Sequence, residues 1–460
     1  MKLKKGIALL LAAAAVSSLA GCGNNQNVDG KINVKVGNWP DETNKDALES
    51  QTKLKDKFMQ ENENINIIPD TYKFDTKTFT MKASADQLPT MYSTWFTEIT
   101  NIMKQGYAAD ITEQMKKHGF DTGVNPKLLD LVKDSDGKIY GVPIEAYAQG
   151  LYIDKKLFKE AGLVNADGSV KVPDTYEELA EFAGIIKEKT GKAGFLFPTT
   201  NNCGGWHFLN IAWSYGVEFV KQNADGKYES AFDTQEARDA LQYIKDLKWK
   251  YNALSDESVI AQEDYMKFFG TYQGGMMFSN PPSSSLSSKY GMDKNDIFVT
   301  RMPAGPKGRY SQMGGNLWMF AKNATPEQID AGLTWLEFTG FSPNVTDDQL
   351  ENSKISYEQQ LSSGYIILDQ EAFDVWVNPE TLEKTRAVKK EYSNVKHEDY
   401  EQYYSFDGVT INPEPAACAQ QLYAILDKCI QEVITNKDAN VDELITNASN
   451  DYQVNHLDKM

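Results

Sequence analysis

Tryptophans that follow predicted strands, with amides and carboxylates beside them, are the residues of this chain best suited to chemistry, and that chemistry is binding. Trp39 ends the first predicted strand, with Asn38 and Asp41 as neighbours. Trp95 ends another, between Thr94 and Glu98. In open α/β sheets ligands settle outside the carboxyl ends of the strands. A flat ring with polar neighbours suits a ligand with apolar faces and hydroxyls at its rim. Core packing competes for both rings. Trp206 stands in a polar, glycine-bearing stretch, Asn201-Asn202-Cys203-Gly204-Gly205-Trp206-His207. Trp213, within the apolar run from Phe208 to Tyr215, reads as core. Asn280 and Ser283 follow the Gly274-Gly275-Met276-Met277 strand and offer hydrogen bonds. Gly315, Asn316 and Trp318 begin a further strand, and Gly315 permits close backbone approach.

Residues that make or break bonds are missing from any recognisable pattern. There is no Gly-x-Ser-x-Gly, no His-Glu-x-x-His and no phosphate-binding glycine loop. His118, His207, His397 and His456 are scattered without ligand spacing. Asp134-Ser135-Asp136-Gly137 lacks the later glutamate of a calcium loop and reads as a tight turn. No metal or cofactor is expected. Two carboxylates suffice for a glycoside hydrolase, so pattern alone leaves that activity open.

The N-terminus carries a different chemistry. Lys2, Lys4 and Lys5 precede a short apolar run, Ile7 to Val16, which ends at Leu19-Ala20-Gly21-Cys22. That order reads as an export signal, and about ten apolar residues are too few to cross a membrane. Leu-Ala-Gly-Cys resembles a bacterial lipobox, which implies a leader over 1–21, lipidation of Cys22 and a polar tether over 22–30. Removing the three leader lysines takes the formal net charge from -18 to about -21. Such acidity opposes nucleic acid and unaided binding to anionic lipid. A neutral ligand is the simplest expectation, with a cationic one left open because net charge says little about a single pocket. Of the other cysteines, Cys418 and Cys429 are too far apart along one helix for a disulfide. Three free thiols are expected, with a bridge from Cys203 to either left open.

Stepping along the chain, strands alternate with helices. Ile32, Val34 and Val36 alternate with polar residues as in a strand, a helix follows over Lys45 to Gln60, and further strands start at Ile65 and Met91. Thr175 to Glu178 and Thr325 to Gln328 read as capping boxes, and Asp233 to Glu236 opens another helix. The alternation predicts an α/β chain with mainly parallel sheets in two lobes.

An ordered set of segments resembles the extracellular solute-binding proteins of ABC importers, the group that includes maltose- and oligosaccharide-binding proteins. They are Asp136 to Pro143, Leu151 to Leu163, the helix start at Pro173, Gln273 to Met277, Met302 to Pro306 and Gly314 to Trp318. The likeness runs from about 31 to 340, is poor over 341–410, and returns only in character. It implies a two-lobed periplasmic-binding-protein-like fold with a hinged central cleft and discontinuous lobes. The N-terminal lobe would comprise 31–143 and about 304–340, and the C-terminal lobe 144–303 and about 341–460. Gly141 to Gly150 would be the first crossing, with Pro143 restraining it and Glu145 and Tyr147 at the hinge. Glu145 suits an ion pair equally well. Met302-Pro303 would be the second crossing, and a third would follow Gly340. Trp206 takes the place where maltose-binding relatives offer an aromatic to sugar. A tryptophan common in relatives near Asn280 is absent. The implied function is capture of a sugar or oligosaccharide for a membrane permease, by a lipid-anchored monomer. A glycoside hydrolase and a polysaccharide-binding adhesin are the alternatives.

Overall fold

A computed structural model describes residues 30–43 and 45–460. Cys22, the leader and nearly all of the tether lie outside the described residues. The first sheet contains β1 (Ile32–Val36), β2 (Ile65–Pro69), β3 (Met91–Trp95) and β4 (Gly141–Ala148). The second contains β5 (Gly150–Asp154), β6 (Ala193–Phe195), β9 (Gly274–Ser279) and β10 (Ile297–Thr300), and β7 (Val220–Gln222) pairs only with β8 (Tyr228–Ser230). β11 (Ala304–Gly305), the long β12 (Gly308–Phe320) and β13 (Val409–Asn412) complete the set.

Each sheet has its own core. Val34, Ile67, Met91, Val142 and Leu317 fill the first lobe with Phe58 and Trp335. On β5, Leu151 and Ile153 face one layer with Phe195 and Phe208, while Tyr152 faces the other with Tyr265 and Tyr400. That alternation is the period-two geometry of a strand buried on both sides. Both helix starts are capped by their threonines, but only one makes a full capping box, because the Glu178 side chain accepts from the Asp174 amide. Thr325 and Gln328 exchange both capping-box bonds, and Thr175 caps Tyr176–Thr190 through the Glu178 amide.

The sheets are more mixed than expected. β1 runs parallel to β2 and β3, but β12 is antiparallel to β3 and β4. In the second sheet only β6 and β9 are parallel. In the first sheet the reason is that β4 and β12 are lobe-crossing strands, not members of βα units.

β12 carries the second crossing. Gly308 to Gln312 pair with β11 and β13, whereas Asn316 to Phe320 pair with β3. Met302 is in the C-lobe core, and the Ala304 and Lys307 amides are bonded to Asp174 and Ser214. The lobe boundary therefore falls near Met313, not at Met302-Pro303. Its partner β4 crosses beside it, with a register shift between Asn316 and Leu317.

The stretch after Gly340 also departs from expectation. Phe341, Phe373, Val375 and Trp376 pack against the N-lobe core, and the Val377 amide donates to the Gly123 carbonyl at 2.9 Å. Ile366 and Leu368 are instead in the C-lobe core. Phe373 stacks on the C-lobe ring of Phe406, centroids 5.4 Å apart. Residues 341–410 thus strap both lobes together, with helices Asp347–Ser362 and Pro379–Tyr392 outside. Assigning everything beyond 341 to the C-terminal lobe is corrected accordingly. Among the described residues no helix is long and apolar enough to cross a membrane. Cys203, Cys418 and Cys429 are free thiols.

Candidate functional site

The C-lobe wall of the cleft is built at the start of helix Cys203–Tyr215. Asn202 takes a left-handed conformation, φ 68°, that turns the chain into the helix. Its amide and that of Gly205 each donate to the Asp427 carboxylate at 2.7 Å. A carboxylate there satisfies orphan donors and complements the helix dipole. Gly205 has no side chain because a Cβ would lie 2.4 Å from the Tyr423 carbonyl oxygen. The glycines therefore serve packing against helix Ala419–Thr435.

Trp206, next in sequence, is half-buried. Its indole Nε1 donates to Glu414 Oε1 at 2.6 Å. The same oxygen accepts the Gln312 side-chain amide at 3.0 Å and the Tyr423 hydroxyl at 3.1 Å. Burial pushes the Glu414 carboxyl up to about 7; the three donors oppose that rise and the Glu98 charge adds to it. Three donors on one oxygen fix the carboxyl and the ring together. Asn202 donates its side-chain amide to Gln420 at 3.0 Å.

The N-lobe wall is built where β3, β12 and β4 run side by side. Trp95 is 41% exposed and rests against the edge of Phe74, centroids 5.2 Å apart. Its ladder partner Asn316 donates to Glu145 Oε2 at 2.6 Å, and Asn316 also faces Glu145 in the β4 register. Glu98 lies three residues beyond Trp95, and burial pushes it up to about 7 against hydrogen bonds from Asn101 and Thr97. Helix Ile99–Lys104 continues toward the other lobe, where Lys104 Nζ sits 4.4 Å from the Tyr228 ring centroid. Tyr147 joins the walls: its hydroxyl is raised by burial, then by the charges of Glu414 and Glu145.

Other sequence-based candidates are placed differently. Trp39 is 2% exposed and stacks on Trp335, centroids 6.1 Å apart, so it is core and not a ligand platform. Trp318 packs half-buried on the same core. Gly315 admits no ligand backbone; the space beside it is taken by the Glu145 carbonyl and the Phe96 ring, at 2.2 and 2.3 Å from an added Cβ. The Ser283 hydroxyl is committed to Ser279 and the Asn280 carbonyl, so it shapes the turn. Asn280 remains half-buried at the carboxyl end of β9. Asn38 is exposed with φ 56°, and exposed-side Asp41 accepts from Thr43. Glu414 and Gln312 were missed by sequence reasoning. The one signal for Glu414 is its setting in Asn412-Pro413-Glu414-Pro415, a carboxylate pinned between prolines.

Two lobes are joined by paired crossing strands, with an aromatic and carboxylates on each side. Residues 51–340 match the family model for bacterial extracellular solute-binding protein, and the chain belongs to that family. It is 24% identical to the maltodextrin-binding protein MdxE of Bacillus subtilis over 358 residues, covering 75% of this chain and 78% of that one. Its fold is similar to that of maltose-bound MalE3 of T. maritima, with TM-score 0.65, 19% identity and 92% and 99% of the two chains covered. It is similar also to UgpB of Mycobacterium tuberculosis in complex with glycerophosphocholine, with TM-score 0.67, 14% identity and 92% and 98% covered.

Proposed function

We propose that this protein is the substrate-binding component of an ABC importer, that it takes a sugar or oligosaccharide, and that a lipid on Cys22 anchors it to the outer face of the cell membrane. The observation that carries the ligand class is the exposed Trp95 ring beside the Asn316–Glu145 pair on one lobe, and the Trp206 ring bonded to Glu414 on the other. Rings stack on the C–H faces of a pyranose, and carboxylates and amides take its hydroxyls. The solute is captured in the open cleft, and contacts to both walls favour the closed state. The closed form is then delivered to the permease. Trp95, Glu98, Glu145, Tyr147, Asn202, Trp206, Asn280, Asn316 and Glu414 are the candidate contacts. In this scheme the protein acts as a receptor, with no bond made or broken.

Calorimetry of the purified full chain, in a detergent without sugar headgroups, against mono- and oligosaccharides tests this reading, with the same mixtures assayed for hydrolysis. Binding of one sugar class without cleavage is the expected result. Cleavage would replace the receptor with a glycoside hydrolase, and silence across the panel would exclude these sugars as cargo.

A further inference from the structure

A polar network lies beneath the C-lobe wall, just where the two crossing strands leave that lobe. Gln312 is fully buried and is the residue before Met313, where β12 begins to pair with β4. Its backbone amide donates to Asn210 Oδ1 at 2.8 Å, and its carbonyl accepts the Gln149 amide at 3.2 Å. Ser311 donates to the Gln149 carbonyl at 2.7 Å. The Gln149 side-chain oxygen accepts Asn210 Nδ2 at 2.8 Å and lies 3.1 Å from His207 Nδ1. Burial holds the His207 ring neutral, near 3. Both crossing strands are therefore clamped to helix Cys203–Tyr215, which also bears Trp206. Along these two strands, rotation of the lobes would be taken up beyond this clamp, among Glu145 to Ala148 and Met313 to Asn316.

The Gln312 side chain is the branch of this network that reaches the cleft, through its bond to Glu414. It keeps its Oε1 buried without a protein donor. A methionine of similar length would avoid that desolvation loss, and the side chain's one protein bond is the one its nitrogen makes to Glu414. Parallel pairing of β12 with β13 puts Gln312 opposite Asn412, two residues before Glu414.

Resting on the reading of the cleft as a solute site, we infer that Gln312 is a positioning residue that joins the Glu414 carboxyl and the Trp206 ring to the hinge strand, so that solute contact at Glu414 drives lobe closure. Ionisable groups facing Glu414 are Glu98 from the N-lobe, Tyr147 from β4 and Tyr423 from helix Ala419–Thr435, and Glu98 and Lys104 in turn face Cys418.

The test uses the full chain and the variant Gln312→Met, with Gln312→Asn as a second variant whose shorter amide stops short of Glu414. The first readout needs no solute. The Trp206 indole ¹⁵N–¹H resonance, assigned with Trp206→Phe, is followed against pH. In the wild type it should titrate near 7, following Glu414; losing a donor should move that midpoint upward in both variants. The second readout is X-ray scattering with and without the sugar found by calorimetry. The variants should bind about tenfold more weakly, as expected for one charge-assisted hydrogen bond, and should close incompletely at saturation. An unmoved midpoint in a folded variant would overturn the inference whatever the solute proves to be. A moved midpoint with full closure would overturn the hinge link and leave a local hydrogen bond. If no sugar binds the wild type, the sugar reading fails, and the solute-free midpoint alone decides whether Gln312 sets the state of Glu414.

Discussion

The two walls of the proposed cleft use the same chemistry with different degrees of order. On the C-lobe, Trp206 is tied to Glu414, which is itself held by Gln312 and Tyr423. Asp427 fixes the helix start that carries the ring. On the N-lobe, Trp95 stands out from the surface against one phenylalanine edge, and Glu145 and Asn316 form a solvent-facing pair. A wall whose groups are already placed loses less freedom when a solute arrives than one whose groups must still be ordered. The C-lobe should therefore supply most of the initial affinity, with the N-lobe adding its share on closure.

The largest effect should come from a residue that belongs to neither wall. Trp39→Ala removes a ring packed on Trp335 and should cost about 3–5 kcal/mol of stability in denaturant titrations, while leaving solute affinity in the folded protein near wild type. Loss of binding with unchanged stability would return Trp39 to the cleft. Next, Trp206→Ala should weaken binding by about 2–3 kcal/mol, in the range of a well-packed anchor. Trp95→Ala should lose about 1 kcal/mol, as a more exposed contact does. Calorimetry on both variants checks this order, and the reverse order would break the contrast between the walls.

A smaller effect concerns pH. Glu414 is held near 7, above its ordinary carboxylate value. Between that ordinary value and about pH 7 the native state binds more protons than the unfolded chain, so stability is fullest in the acid part of the window and falls as pH rises through it. Glu98 acts in the same direction. Glu414→Gln should flatten this slope by on the order of 1–2 kcal/mol between pH 4.5 and 7.5, read by denaturation at both ends. An equal slope in the variant would show that Glu414 is ionised without penalty. The smallest change should be Asn316→Ala, which breaks an exposed pair with Glu145 and should alter stability by less than about 0.5 kcal/mol.

Much of this arrangement is visible in the residues themselves. Thr175 and Thr325 mark helix starts by side chains that act within four residues; the Thr325 box forms in full, whereas at Thr175 only the Thr175 half forms and Glu178 accepts from the Asp174 amide instead. Trp95 and Trp206 stand out by strand ends and polar neighbours. Trp39 has the same local signature and is core, because Trp335, almost 300 residues away, covers it. The Gly204-Gly205 pair is closed in by packing, Gly204 by Asp427 and Pro198 and Gly205 by the Tyr423 backbone. The strap over 341–410 was illegible for a related reason: its apolar residues pack against two separate cores, so neither periodicity nor resemblance reveals the division.

The sequence by itself determined the βα alternation, the helix caps, the family segments and the candidate rings, since each depends on residues close together in the chain. Tertiary structure decided which ring is exposed, where β12 changes lobes, and that Glu414 meets Trp206 across some 200 residues. Those outcomes rest on burial and on hydrogen bonds between distant segments, and a carboxylate or an indole has no fixed role until the fold chooses its neighbours.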